Sequence, residues 1–223
     1  MADLKDPSFW EDIKPGSVVV VNDAQAMLEA LKRGLDADGG VNYEIKRILR
    51  LKELNNLATW VLLKLEGIDE IWFMVKIVGQ EVDLRIYFEV PEFTPGNRKD
   101  MITREMYWLF EDPGPNWQEA YNDLKYSGII NIDTNPGGQG QATKTTYQQK
   151  PFGEMHTRCS ELPKQPASDE YLATLVEYST ADETDNPELL ILELGGEDSP
   201  EGGYIMMMLG CAASAADLRI FKK

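Results

Sequence analysis

The chain is 223 residues long, with 38 acidic against 22 basic side chains and a formal net charge of −16. A field of that sign repels phosphate backbones and anionic lipid head groups, which sets nucleic acid and membrane surfaces aside as partners. With 43% hydrophobic and 27% charged residues the chain reads as globular rather than disordered, and two cysteines are too few to staple a chain of this length.

Residues 1–16 read as a polar lead-in ending at Pro15-Gly16. They lack the continuous apolar stretch of a secretory signal. The longest weakly polar run, residues 205–216, is too short to span a bilayer. The expected location is the cytoplasm. Residues 17–21 form a β-branched run that predicts a short strand. Asn22 or Asp23 then caps a predicted helix over residues 24–36, whose stripe is Met27, Leu28, Leu31 and Leu35 and whose end is Gly39-Gly40. In residues 41–53, Tyr43, Ile45, Leu49 and Leu51 share one parity, interrupted by Arg47. Glu44, Lys46, Arg50 and Lys52 share the other. That alternation predicts a half-buried strand with one solvated, charged face.

The clearest signal is residues 57–90, which predict a meander of three antiparallel strands. Val61, Leu63 and Leu65 face one side of the first. The second, residues 71–78, is apolar apart from Lys76 and is expected to be covered on both faces. Gly79-Gln80 makes a tight turn. In the third, Val82, Leu84, Ile86, Phe88 and Val90 alternate with Glu81, Asp83, Arg85, Tyr87 and Glu89. Trp60, Trp72 and Phe73 are expected to be packing residues, whose loss costs stability before function.

Residues 91–142 change character. A loop leads to residues 100–110, which read as a helix capped by Asp100, with a strand ending in residues 106–110 as the alternative. A short helix over 117–126 follows, then a small strand over 128–133 and a glycine-rich loop over 135–141 that we take as the boundary between halves. Beyond it, residues 143–149 and 153–162 predict two polar strands. Residues 171–178, 188–194 and 204–209 predict stronger ones, and residues 215–221 the last. Loops at 182–185 and 197–201 are strongly acidic. The tetrapeptide Asp-Leu-Arg-Ile occurs at both 83–86 and 217–220, and Trp60 and Glu66 match Tyr171 and Glu177 in spacing, which suggests an internal duplication.

Few motifs carry chemistry. Gly138, Lys144 and Thr145 reproduce part of a phosphate-binding loop, but Thr143 stands where a second glycine must let the backbone close on phosphate, and Pro151 follows where a helix should run. Glu154, His156 and Cys159 lie close in sequence, yet a strand would put His156 and Cys159 on opposite faces, out of reach for a thiol and its base. His156 is the lone histidine, which excludes histidine-based triads and multi-histidine metal centres. The acidic loops lack the alternating spacing that wraps oxygens around calcium. Met206, Met207 and Met208 suit a core. The aromatic side chains Tyr107, Trp108, Trp117 and Tyr121, set among Gly and Pro turns, are the candidate contact residues for a ligand or partner.

These observations predict an α+β, mostly β protein. Residues 1–95 and 143–223 form two antiparallel meander or half-barrel units, and residues 96–142 connect them. The function expected is a non-catalytic cytoplasmic interaction or binding module for a protein or small molecule, with no cofactor and no metal. A small-ligand-binding barrel is the alternative. The second alternative is an enzyme whose carboxylate and tyrosine site forms only in the fold.

Overall fold

The computed structural model describes residues 3–21, 42–66, 71–89, 129–133, 144–163, 170–180, 188–195 and 204–223. Among the described residues eleven strands are formed: β1 (Val18–Val21), β2 (Asn42–Glu53), β3 (Ala58–Leu65), β4 (Ile71–Val78), β5 (Glu81–Glu89), β6 (Ile129–Asp133), β7 (Lys144–Leu162), β8 (Tyr171–Thr180), β9 (Glu188–Leu194), β10 (Tyr204–Ala212) and β11 (Leu218–Phe221). The predicted helix over 24–36, the helices over 100–110 and 117–126 and the boundary loop 135–141 lie outside the described residues.

Every pairing among the described residues is antiparallel. The sheet runs β11-β1-β2-β3-β4-β5-β10-β9-β8-β7-β6, and β2 also pairs with β7. That extra pairing, Ile48↔Leu162 through Glu53↔Thr157, closes β2–β5 and β7–β10 into an eight-stranded barrel. The two predicted meanders therefore do not stand as separate half-barrels. They join edge to edge, β5 to β10 and β2 to β7, around one interior. The shared tetrapeptide falls on β5, in the barrel wall, and at the start of β11, outside it, so it does not mark equivalent strands.

Strands β2–β5 are apolar on two faces, and two cores result. The interior cluster draws on all eight barrel strands, with Leu49, Trp60, Trp72, Tyr87, Leu192 and Met208 among its members. An eight-stranded barrel is just wide enough for such side chains to fill. The second cluster lies outside β2–β5 and includes Val61, Leu63, Leu65, Phe73 and Leu84. It is sealed by Leu4, Trp10 and Ile13 of the lead-in, by Val19 and Val21 of β1, and by Leu218 and Ile220 of β11. The lead-in is thus more than polar chain. Residues Pro7–Glu11 form a short helix, α1, capped by the Asp6 carboxylate, which accepts from the Ser8 amide at 2.9 Å. Trp10 is fully buried and donates from Nε1 to the Leu4 carbonyl at 3.0 Å. Arg50 ties this segment down by donating to the Ile13 carbonyl at 2.8 Å.

Two sequence expectations change. Strand β2 is not one-faced: its register shifts between Ile45 and Arg47. The bulge hands the chain from one parity to the other, so Ile45 and Ile48 pack outside while Leu49 and Leu51 pack inside. The predicted polar strands 143–149 and 153–162 are one strand, β7, carrying a register shift between Gln149 and Glu154. A short strand-to-turn reading of Pro151 and Gly153 misses this because a bulge accommodates both residue types.

Gly210 of β10 sits opposite Tyr87. A Cβ there would lie 2.4 Å from the Ile86 carbonyl oxygen and 2.4 Å from Tyr87 Cδ1. Gly210→Ala is therefore expected to cost about 1–3 kcal/mol through overpacking. Chemical denaturation measures it, and an unchanged midpoint would show that the wall yields at this point.

Candidate functional site

The β5 alternation aims its polar set inward. Leu84 and Ile86 belong to the outer core, so Asp83, Arg85, Tyr87 and Glu89 face the barrel interior. The same parity carries Lys76 of β4, Glu177 of β8 and Glu188 of β9 to the inner face, at the end of the barrel that holds the β2–β3 and β4–β5 turns. Glu177 lies opposite Leu190, and Glu188 opposite Ser179. The two carboxylates are diagonal neighbours, a relation that sets Cα atoms about 7–8 Å apart.

Each carboxylate is nearly buried, with side-chain exposure of 8%, and each is paired. Glu177 accepts from Trp60 Nε1 at 3.1 Å through Oε1 and from Lys76 Nζ at 2.6 Å through Oε2. Lys76 Nζ also stands 5.6 Å from the Trp60 ring centroid, within cation–π range. Glu188 accepts from the Tyr87 hydroxyl at 3.1 Å and from Arg85 Nε at 3.0 Å through Oε2, while Lys150 Nζ contacts its Oε1. Arg85 extends the chain of charges to Asp83, 2.7 Å away. Burial, then the charges of Glu188 and Glu177, push the Tyr87 hydroxyl well above its usual range, so it stays protonated as a donor. All four carboxylate oxygens thus hold at least one donor, which suits them to positioning cations rather than to taking protons.

Around this end the rim is apolar and exposed. Leu54 is 48% exposed, Leu57 70% and Val78 45%. Glu53 shapes the β2–β3 turn: its carboxylate accepts from the Asn55 amide and side chain, both at 2.8 Å, and from the Leu57 amide at 3.1 Å. Asn56 takes a φ of 58° there, a left-handed conformation that asparagine tolerates. The Leu57 amide, with those of Asn55 behind it, holds the Glu53 carboxyl below the ordinary carboxylate value of 4.5. A lowered folded pKa stabilises the turn fully above that value, and the contribution is lost as pH falls through the folded one. Hydrogen-exchange protection at Asn55 and Leu57 should therefore drop on acidification through the carboxylate range, and Glu53→Gln should make it independent of pH. Protection that stays constant in the parent protein would refute the role given to Glu53.

The opposite end carries a separate polar group. Arg47 grips Glu161 through two bonds, Nε–Oε1 at 2.5 Å and Nη2–Oε2 at 3.0 Å. Cys159 is buried beside Tyr171, and burial pushes its thiol up to about 11, which leaves it protonated and a poor nucleophile at neutral pH. His156 is exposed on the outer face of β7, with Nδ1 at 3.3 Å from Thr174 Oγ1, so it and Cys159 lie on opposite faces, as strand parity predicts. Both cysteines are free thiols. Lys144 and Thr145, which a phosphate loop would place at the start of a helix, open strand β7 instead. The candidate contact residues Tyr107, Trp108, Trp117 and Tyr121, and the acidic loops 182–185 and 197–201, lie outside the described residues.

The sequence reading did not identify Lys76, Arg85, Tyr87, Glu177 and Glu188 as a group. Only Lys76, alone in an apolar run, signalled a buried charge. The remaining members meet only when β5, β8 and β9 close on one another. Among the described residues no helix is long and apolar enough to cross a membrane. No protein-family model, curated protein or solved structure matches the chain.

Proposed function

We propose that this chain is a non-catalytic binding module of the cytoplasm and that it engages a protein or small molecule at the charged end of its barrel. The observation that carries the reading is the gathering of Lys76, Arg85 and Lys150 over two nearly buried carboxylates, under a rim of exposed Leu54, Leu57 and Val78. Cations held by buried acids, beside apolar contact area, make a polar anchor with a hydrophobic surround. Large side chains pack the barrel interior beneath, so the reading assigns contact to the end rather than to a deep cavity. The saturated carboxylates argue for binding over turnover, and the −16 charge argues against nucleic acid.

The test is affinity capture with the full chain and with Leu57→Asp/Val78→Asp. A matched control, Leu172→Asp, alters a leucine that is 62% exposed on β8. The species retained by the parent and by the control should be lost with the double variant while its Tm stays close to the parent value. Capture unchanged by the double variant, or lost equally in the control, would overturn the proposal.

A further inference from the structure

The outer surface of β2, β7 and β8 presents a small array of side chains. Lys52 lies directly opposite Arg158, and Arg158 opposite Leu172, so the three form one row across three strands. Their chain neighbours Leu51, Cys159 and Ala173 belong to the barrel interior, which turns this row outward. All three are exposed, Leu172 at 62%. The next row holds Leu54, His156 and Thr174. The Leu54 amide donates to the His156 carbonyl at 3.2 Å, and His156 lies opposite Thr174. Neighbouring strands are about 4.8 Å apart and alternate residues about 7 Å, so the array measures about 10 by 7 Å.

Like charges directly opposite one another cost stability. Lys52 and Arg158 stand so in a chain with 38 acidic side chains, and among the described residues neither forms an ion pair. The acids nearest along these strands are used or set aside. Glu53 holds the β2–β3 turn, Glu193 lies one strand beyond Thr174 and is 3% exposed, and Glu170 marks the far margin two residues before Leu172. We infer that this face docks a short acidic segment of a partner protein, with a carboxylate set between the two cations and an apolar side chain against Leu172. An anion there relieves the repulsion of Lys52 and Arg158, and the exposed leucine beside them supplies contact area. The net charge of −16 keeps the segment short. In physiological salt an exposed charge acts over about 8 Å, so the two cations govern what lies on them, while a long polyanion would meet the acidic remainder of the surface. A second copy of the chain, carrying the same −16, is opposed for that reason.

The face lies on the outer wall of the barrel and does not depend on the charged end. The test is fluorescence anisotropy with the full chain and a short labelled peptide in which two glutamates are flanked by leucines. Replacing both glutamates by glutamine is expected to weaken binding about tenfold or more. The same loss is expected for Lys52→Glu and for Leu172→Asp in the chain. Lys52→Arg and Leu57→Asp/Val78→Asp should bind the peptide like the parent, the second of which separates this face from the barrel end. Lys52→Glu also sets opposite charges across β2 and β7, so its Tm should equal or exceed that of the parent, which separates lost binding from lost folding. Equal binding of the glutamine peptide, equal binding by Lys52→Glu, or no binding of the acidic peptide would overturn the docking site. A single-stranded oligonucleotide that binds more tightly than the peptide, or a dimer in sedimentation that Lys52→Glu dissociates, would overturn the choice of occupant.

Discussion

Glu177→Leu is expected to destabilise the protein by about 3–5 kcal/mol, because it leaves Lys76 in the barrel end without its carboxylate. For a chain of this size that corresponds to a fall in Tm of about 6–20 °C. The side chain of Glu177 is 8% exposed and that of Lys76 25%, so solvent does little to compensate the orphaned charge. Replacing both partners, Lys76→Leu/Glu177→Leu, is expected to cost less than Glu177→Leu alone. A buried ion pair exchanged for apolar side chains is often close to neutral. What remains is the Trp60 indole N–H, which donates to Glu177 at 3.1 Å and would be left unsatisfied at about 1–3 kcal/mol. Urea unfolding of the single and double variants measures the coupling. If the double variant costs the sum of the singles, Lys76 and Glu177 are not coupled and the charged end is not a network.

The second large effect is expected at Trp72. Its ring is fully buried, faces Tyr87 across β4–β5 and Lys64 across β3–β4, and lies 5.5 Å from Lys64 Nζ. Trp72→Ala removes an indole from an interior that closed strands hold open, so the wall cannot collapse into the space. The expected cost is about 3–5 kcal/mol, with Trp72→Phe well below it because a ring is kept. Thermal unfolding of the two variants checks the order. Equal losses would show that the Lys64 contact or the indole N–H, rather than volume, sets the effect.

Both predictions turn on the same feature of the wall, that its strands have two working faces. Alternation in a strand reports which residues share a face, and periodicity alone located β3, β4, β5, β8, β9 and β10 within a few residues of where they lie. The doubly apolar run of β4 announced cover on both sides, and Ile71, Trp72, Phe73, Met74 and Val75 are all buried. The packing role expected of Trp60, Trp72 and Phe73 agrees with their full burial, and the first two line the interior while Phe73 serves the outer core. The opposed faces of His156 and Cys159 follow from parity as well.

What alternation cannot report is which face turns inward. In β5 the charged parity looks solvated, yet closure of the barrel turns Arg85 and Tyr87 toward Glu188 and leaves Leu84 and Ile86 to a second core. That second core exists because α1, β1 and β11 cover the outer wall, contacts that span from Leu4 to Ile220 and have no local signature. The bulge at Ile45–Arg47 and the fusion of two short strands into β7 are likewise backbone choices made by pairing partners. Strand content, acidity and the apolar meander are properties of short stretches, so the sequence by itself determined them. The closed barrel, its two cores and the charged end depend on which strands meet across more than a hundred residues, and only the tertiary structure decided that.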